Sequence, residues 1–158
     1  MNITFTDQES PVNAEEVQAV LSRIGVLLPL EYKTFLTQIN GGTPERTFLE
    51  LRKFDAIASN INCYVIVDRF FSLGELEEVW YYTKEDLQEL LLFPIAEVRG
   101  GMLICIRQSD SDLCEIYFYD ANFGVIAITE SLREFFDALI SKKDVDYKKY
   151  GIDFRFDE

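Results

Sequence analysis

The chain has 158 residues, 28 of them acidic and 15 basic, for a net charge of −13, and it contains no histidine. That length fits one domain with one core, and an apolar content of 48% excludes a chain disordered by composition. The acid excess disfavours nucleic acid and anionic membranes, which are bound by clustered Lys and Arg; it would attract a basic partner, or it serves solubility alone. The start MNITFTDQES has no basic stretch leading into an apolar core, so no secretory signal is expected, and no apolar run approaches the roughly 20 residues of a membrane helix. Cys63, Cys105 and Cys114 are an odd number without CxxC spacing, each in a strand-like segment. They read as buried thiols of a protein in the reducing cytoplasm.

Along the chain, Asn13 and Glu16 form a capping-box pattern, with Val12 and Val17 placed as a staple. Val17, Val20, Leu21 and Ile24 then follow the spacing of one buried helical face. In LLPLEYKTFLTQINGG, Pro29 suits a helix start, and Tyr32, Phe35, Leu36 and Ile39 repeat that spacing. Asn40, Gly41 and Gly42 are expected to stop this helix through a left-handed C-cap. CYVIVDRFFSL reads as a strand with a bend near Asp68. GELEEVWYYTKEDLQELL reads as one bent helix or two, with Thr83 placed to cap the second half. Its apolar faces are Leu76, Val79 and Trp80, then Leu87, Leu90 and Leu91.

Strands follow at Ile95–Val98, MLICI, CEIYFYD and Val125–Ile128, with turn chemistry in QSDSD. The unbroken apolar run MLICI predicts a strand covered on both faces. The last helix opens with a Ser131 and Glu134 capping box and carries the stripe Leu132, Phe135, Phe136, Leu139 and Ile140. Lys142 and Lys143 are expected at its negative end. The order predicts a single α+β domain: an antiparallel or mixed sheet of about four to six strands flanked by helices.

Absence of histidine excludes Ser-His-Asp and Cys-His catalysis in their usual forms, and every His-ligated metal site. The turn DSD begins like a calcium loop but lacks the following glycine and the distant Glu at the required spacing. Arg99-Gly100-Gly101 feeds a strand, whereas a phosphate loop feeds a helix, so the glycines read as a turn. No catalytic group, cofactor or metal is expected. The candidate surface is acidic and aromatic: Glu75, Glu77, Glu78, Tyr81 and Tyr82, with Asp110, Asp112, Glu115 and Asp120 on a hairpin. Tyrosines supply contact area at low entropy cost, and carboxylates pair with Lys or Arg across an interface. Trp80, at helical spacing from Leu76, reads as core.

The segments LPLEYKTFLTQINGGTP, FPIAEVRGGMLICI, EIYFYD and ITESLREFFDALI, in this order, resemble the SUKH superfamily (Smi/Knr-like domains). The likeness spans about residues 28–140 of a single domain over 1–158, leaving 141–158 as a C-terminal extension. It implies an α+β protein-binding domain. It further implies a bacterial immunity protein that neutralises a cognate polymorphic or contact-dependent toxin by stoichiometric binding, with a basic nuclease domain as the fitting partner. An inhibitor of a nuclease can present carboxylates where phosphates would lie. The alternative is a regulatory or scaffold domain with a cellular protein partner. The chain departs from the family pattern in having Arg99 and Met102 beside the paired glycines, and Ala121 and Asn122 after Tyr119-Asp120.

Overall fold

The structure, a computed structural model, describes residues 3–54 and 64–146. In chain order these form β1 (Phe5–Thr6), α1 (Ala14–Ile24), α2 (Leu30–Gln38), β2 (Thr43–Pro44) and β3 (Phe48–Glu50). There follow β4 (Tyr64–Phe70), α3 (Leu73–Leu87), β5 (Leu92–Val98), β6 (Met102–Arg107), β7 (Ile116–Asp120), β8 (Gly124–Thr129) and α4 (Leu132–Ala138). β3 to β8 make a six-stranded antiparallel sheet in sequence order, and β1 pairs with β2 in a separate ribbon. This is the α+β single domain expected. The short β1, β2 and β3 were not expected, because strands of two or three residues carry no readable period.

Local sequence explains most boundaries. Asn13 caps α1 by accepting the Glu16 N–H at 2.8 Å, and Glu16 accepts the Asn13 N–H at 3.2 Å, closing the capping box. Val17 and Leu21 are buried, with Val20 and Ile24 packed beside them. The bend near Asp68 is a register shift between Val67 and Arg69. In β6, Ile104, Cys105 and Ile106 are fully buried, whereas Met102 and Leu103 of the same apolar run are half-buried, so the expected cover on both faces holds for its second part. Gly100 and Gly101, at φ +98° and +88°, make the β5–β6 turn; there Arg99 donates to Asp68 at 2.8 and 3.1 Å. Trp80 lies in the core against Phe93, with ring centroids 5.2 Å apart.

Four expectations need correction. α2 ends at Gln38 with Ile39 extended, so Gly41 and Gly42 do not cap it. They are left-handed in the loop beyond, where a Cβ on Gly42 would lie 2.4 Å from the Thr6 carbonyl oxygen. α3 is a single helix, one of the two alternatives expected, but Thr83 does not cap a second half; its hydroxyl donates back to the Val79 carbonyl at 2.8 Å. Leu90 and Leu91 lie past the end of α3 and are exposed, not core. α4 ends at Ala138, so Lys142 and Lys143 sit in a separate 3-10 turn and cannot serve its C-terminus. Ile140, beyond the helix, forms a bridge with Phe48. Of the expected buried thiols, Cys105 and Cys114 are buried, although Cys114 precedes β7. Cys63 lies outside the described residues.

The core is organised around four rings from four elements. Phe5 of β1, Phe35 of α2, Phe70 of β4 and Phe136 of α4 meet pairwise with centroids 5.5–5.7 Å apart. Such pairs contribute about 0.5–1.5 kcal/mol each beyond their burial. The cluster fixes α2 beside α4 and both over β4.

Candidate functional site

The nine acidic and aromatic candidates do not form one surface. Glu78, Tyr81 and Tyr82 share the outer face of α3, because positions three and four apart on a helix point the same way. Tyr81 and Tyr82 are 68% and 73% exposed and meet edge to face with centroids 5.3 Å apart. Glu85, missed in the sequence reading, joins them four residues after Tyr81, a spacing that was readable. Neither Glu78 nor Glu85 has an ion-pair partner among the described residues.

The remaining candidates are engaged or distant. Glu75 sits in the first turn of α3, where it accepts from Arg69 Nη1 at 2.7 Å and from the Ser72 N–H at 3.0 Å; Arg69 Nη2 also donates to it. The Arg69 guanidinium, and then the Ser72 amide, hold the Glu75 carboxyl below the usual carboxylate range. Glu77 pairs with Arg23 of α1 at 2.9 Å, and Glu115 pairs with Arg107 at 2.8 Å. Asp110 and Asp112 are exposed in the β6–β7 loop. Asp120 is at the other end of β7, accepting the Asn122 N–H at 2.8 Å in a turn.

Two concavities lie away from that α3 face. One, about 590 Å³, runs between the residues before α1, α1 itself and the start of α3, and contains Glu9, Glu16, Glu75 and Glu77. Three of its four carboxylates are already committed, Glu16 to the α1 cap, Glu75 to Arg69 and Glu77 to Arg23. The other, about 460 Å³, lies between α2 and α4 over Phe35 and Phe136, with Leu30, Asp112, Arg133 and Asp137 around it. Nothing in the sequence pattern revealed it, because its two walls are about a hundred residues apart and meet only through the ring cluster.

The titratable groups buried among these elements are held in their neutral forms. Burial pushes both the Cys105 and Cys114 thiols up, and the Glu31 carboxylate adds to the effect at Cys114. This is opposite to the shift that makes a nucleophilic thiolate. Burial, and then the Asp86 carboxylate, likewise raises the Tyr119 phenol. Among the described residues, no group of three or more His, Cys, Asp or Glu side chains is placed to hold a metal ion. No described helix is long and apolar enough to cross a membrane.

The sequence matches the SMI1 / KNR4 family (SUKH-1) over residues 11–138, from just before α1 to the last residue of α4. No curated protein matches the chain. β1 falls outside the matched region, although its Phe5 supplies one ring of the central cluster.

Proposed function

Because the chain belongs to the SMI1 / KNR4 family (SUKH-1), we propose that it is an immunity protein that neutralises a cognate toxin domain by stoichiometric binding in the cytoplasm. The partner is a basic protein, with a nuclease domain of a polymorphic or contact-dependent toxin as the fitting class. No turnover is involved: the protein covers the toxin's cationic surface and keeps its substrate away.

The observation that carries this reading is the outer face of α3. Two neighbouring tyrosines stand in solvent there, flanked by Glu78 and Glu85, in a chain of net charge −13. Buried at an interface, a tyrosine anchor can contribute about 2 kcal/mol or more, whereas an exposed ion pair contributes about 0.2–1 kcal/mol. The tyrosines therefore supply affinity, and the carboxylates supply orientation and encounter rate.

Co-expression with a candidate toxin domain, the product of a neighbouring gene being the first to try, tests the proposal. The wild-type protein should rescue growth and form a one-to-one complex on gel filtration. Tyr81→Ala/Tyr82→Ala should remain folded by circular dichroism yet bind at least about tenfold more weakly. Failure of the wild-type protein to protect would overturn the reading, and stable capture of a non-toxic cellular protein instead would favour a regulatory or scaffold role.

A further inference from the structure

The groove between α2 and α4 is built differently from the α3 face. Its floor is Phe35 and Phe136, 4% and 3% exposed and held 5.5 Å apart by the ring cluster. One wall is Leu30, Thr34 and Gln38, each a helical turn from the next; the other is Leu132, Arg133 and Asp137. Both helices begin at the same end, because Glu31 Oε1 accepts from Cys114 N–H at 3.0 Å and Leu132 N–H at 2.8 Å.

Exposed leucines occur in the segments that meet near that end. Leu30 is 55% exposed on the rim itself. Leu27, 66% exposed, lies just before α2, and Leu113, 56% exposed, follows Asp112. The β6–β7 loop is tied there by hydrogen bonds from Leu30 N–H to Ser111 O at 3.1 Å and from Glu31 N–H to Asp112 O at 2.9 Å. Of the three, Leu30 lines the groove itself, and an exposed leucine on the rim of an apolar floor is the kind of surface that serves for interaction.

The charges select the occupant. Asp112 stands at one end of the groove and Asp137 at the other, both exposed and neither in an ion pair among the described residues. Arg133 is the one cation lining it among the described residues. The polar groups lie on the rim and do not converge on an enclosed point, as they would around a small molecule. The nine-residue α2 is about 13.5 Å long at about 1.5 Å per residue, roughly two and a half turns, which spans the i to i+7 stretch of a docked helix.

We infer that the α2–α4 groove docks a basic amphipathic helix of a partner protein. Apolar side chains at i, i+3 or i+4, and i+7 would rest on Phe35 and Phe136, with Lys or Arg beside Asp112 and Asp137. The assignment concerns a different face from that of the proposed toxin contact and does not depend on what the partner does.

Titration of the ¹⁵N-labelled full chain with a short Leu/Lys amphipathic helical peptide tests it. Amide shifts should concentrate at Leu30, Thr34, Gln38, Arg133 and Asp137. The exposed Thr34→Trp, which fills the groove, should weaken binding at least about tenfold, and Gln38→Trp is a second blocking variant. Tyr81→Ala/Tyr82→Ala should leave peptide binding unchanged, so failure here is distinct from failure of the toxin reading. Shifts spread evenly over the acidic surface would overturn the inference, as would equal binding of a Leu/Glu or Ser/Lys peptide, or indifference to both blocking variants. Concentration-dependent shifts of the groove without peptide would replace the partner helix with a second copy of this chain.

Discussion

Glu31 ties three elements together through a single oxygen. It lies in the first turn of α2, and its Oε1 accepts the backbone N–H of Cys114 before β7 and of Leu132 at the start of α4. Both donors belong to residues almost completely buried. In the sequence Glu31 looks like one more solvent-facing helix carboxylate, because nothing local announces a bond to a residue a hundred positions away. Hydrogen bonds to a charged acceptor contribute about 1.5–3 kcal/mol each, and stranding a buried N–H costs about 1–3 kcal/mol. Glu31→Ala should therefore lower unfolding stability by about 2–4 kcal/mol in urea. Glu31→Gln retains an acceptor oxygen and should lose about half as much or less. Equal losses for the two variants would mean that the oxygen's two bonds are not what matters. Asn40 plays a parallel part: its Oδ1 accepts the Leu73 N–H at 2.7 Å, and its Nδ2 donates to the Ser10 carbonyl at 2.8 Å. The Asn-Gly-Gly run thus forms a joint between the N-terminal segment and α3.

At the scale of elements, α3 shows why some of the structure was legible and some was not. Its burial pattern follows directly from spacing, with Leu76, Trp80 and Leu87 inward and Glu78, Tyr81 and Tyr82 outward. The α1 capping box was readable for the same reason, since both partners lie within one turn. The fates of Glu75, Glu77 and Glu115 were not readable. Each is neutralised by an arginine placed by tertiary structure, namely Arg69, Arg23 and Arg107. The α2–α4 groove was hidden for the same physical reason, because only the meeting of Phe35 and Phe136 creates it. The start of α3 also carries a pH signature. Glu75 closes the Ser72 capping box and binds Arg69, so its folded pKa lies below its unfolded value. Between those two values the unfolded chain binds more protons, and stability rises with pH. The Glu75 contribution is thus complete above the unfolded value of about 4.3 and fades as pH falls through the depressed folded value. The stability gap between wild type and Glu75→Gln should be widest near neutrality and shrink below about pH 4.5 in urea titrations. A gap that stays constant through that range would exclude the Arg69–Glu75 pair as its source.

Over the whole molecule, the distribution of charge matters more than its sum. Arg23, Arg46, Arg69, Arg99 and Arg107 each face a carboxylate of this chain, so much of the positive charge is spent internally. Carboxylates such as Glu78, Glu85, Asp112 and Asp137 face solvent with no such partner among the described residues. A basic protein approaching the molecule therefore meets a field that accelerates encounter, by about 10 to 10³-fold at low ionic strength. Salt shortens the reach of that field, from about 30 Å at 0.01 M to about 3 Å at 1 M. The tyrosine pair acts only at van der Waals range and escapes this screening. The two kinds of residue should consequently separate in kinetics measured against the proposed toxin partner. Glu78→Lys/Glu85→Lys should slow association at low salt, and its association rate should converge on that of the wild type as salt approaches about 1 M. Tyr81→Ala/Tyr82→Ala should leave association nearly unchanged and speed dissociation by about tenfold or more. If the charge-reversed variant associates as fast as wild type at low salt, the acidic surface does not steer the partner, and net charge serves solubility alone.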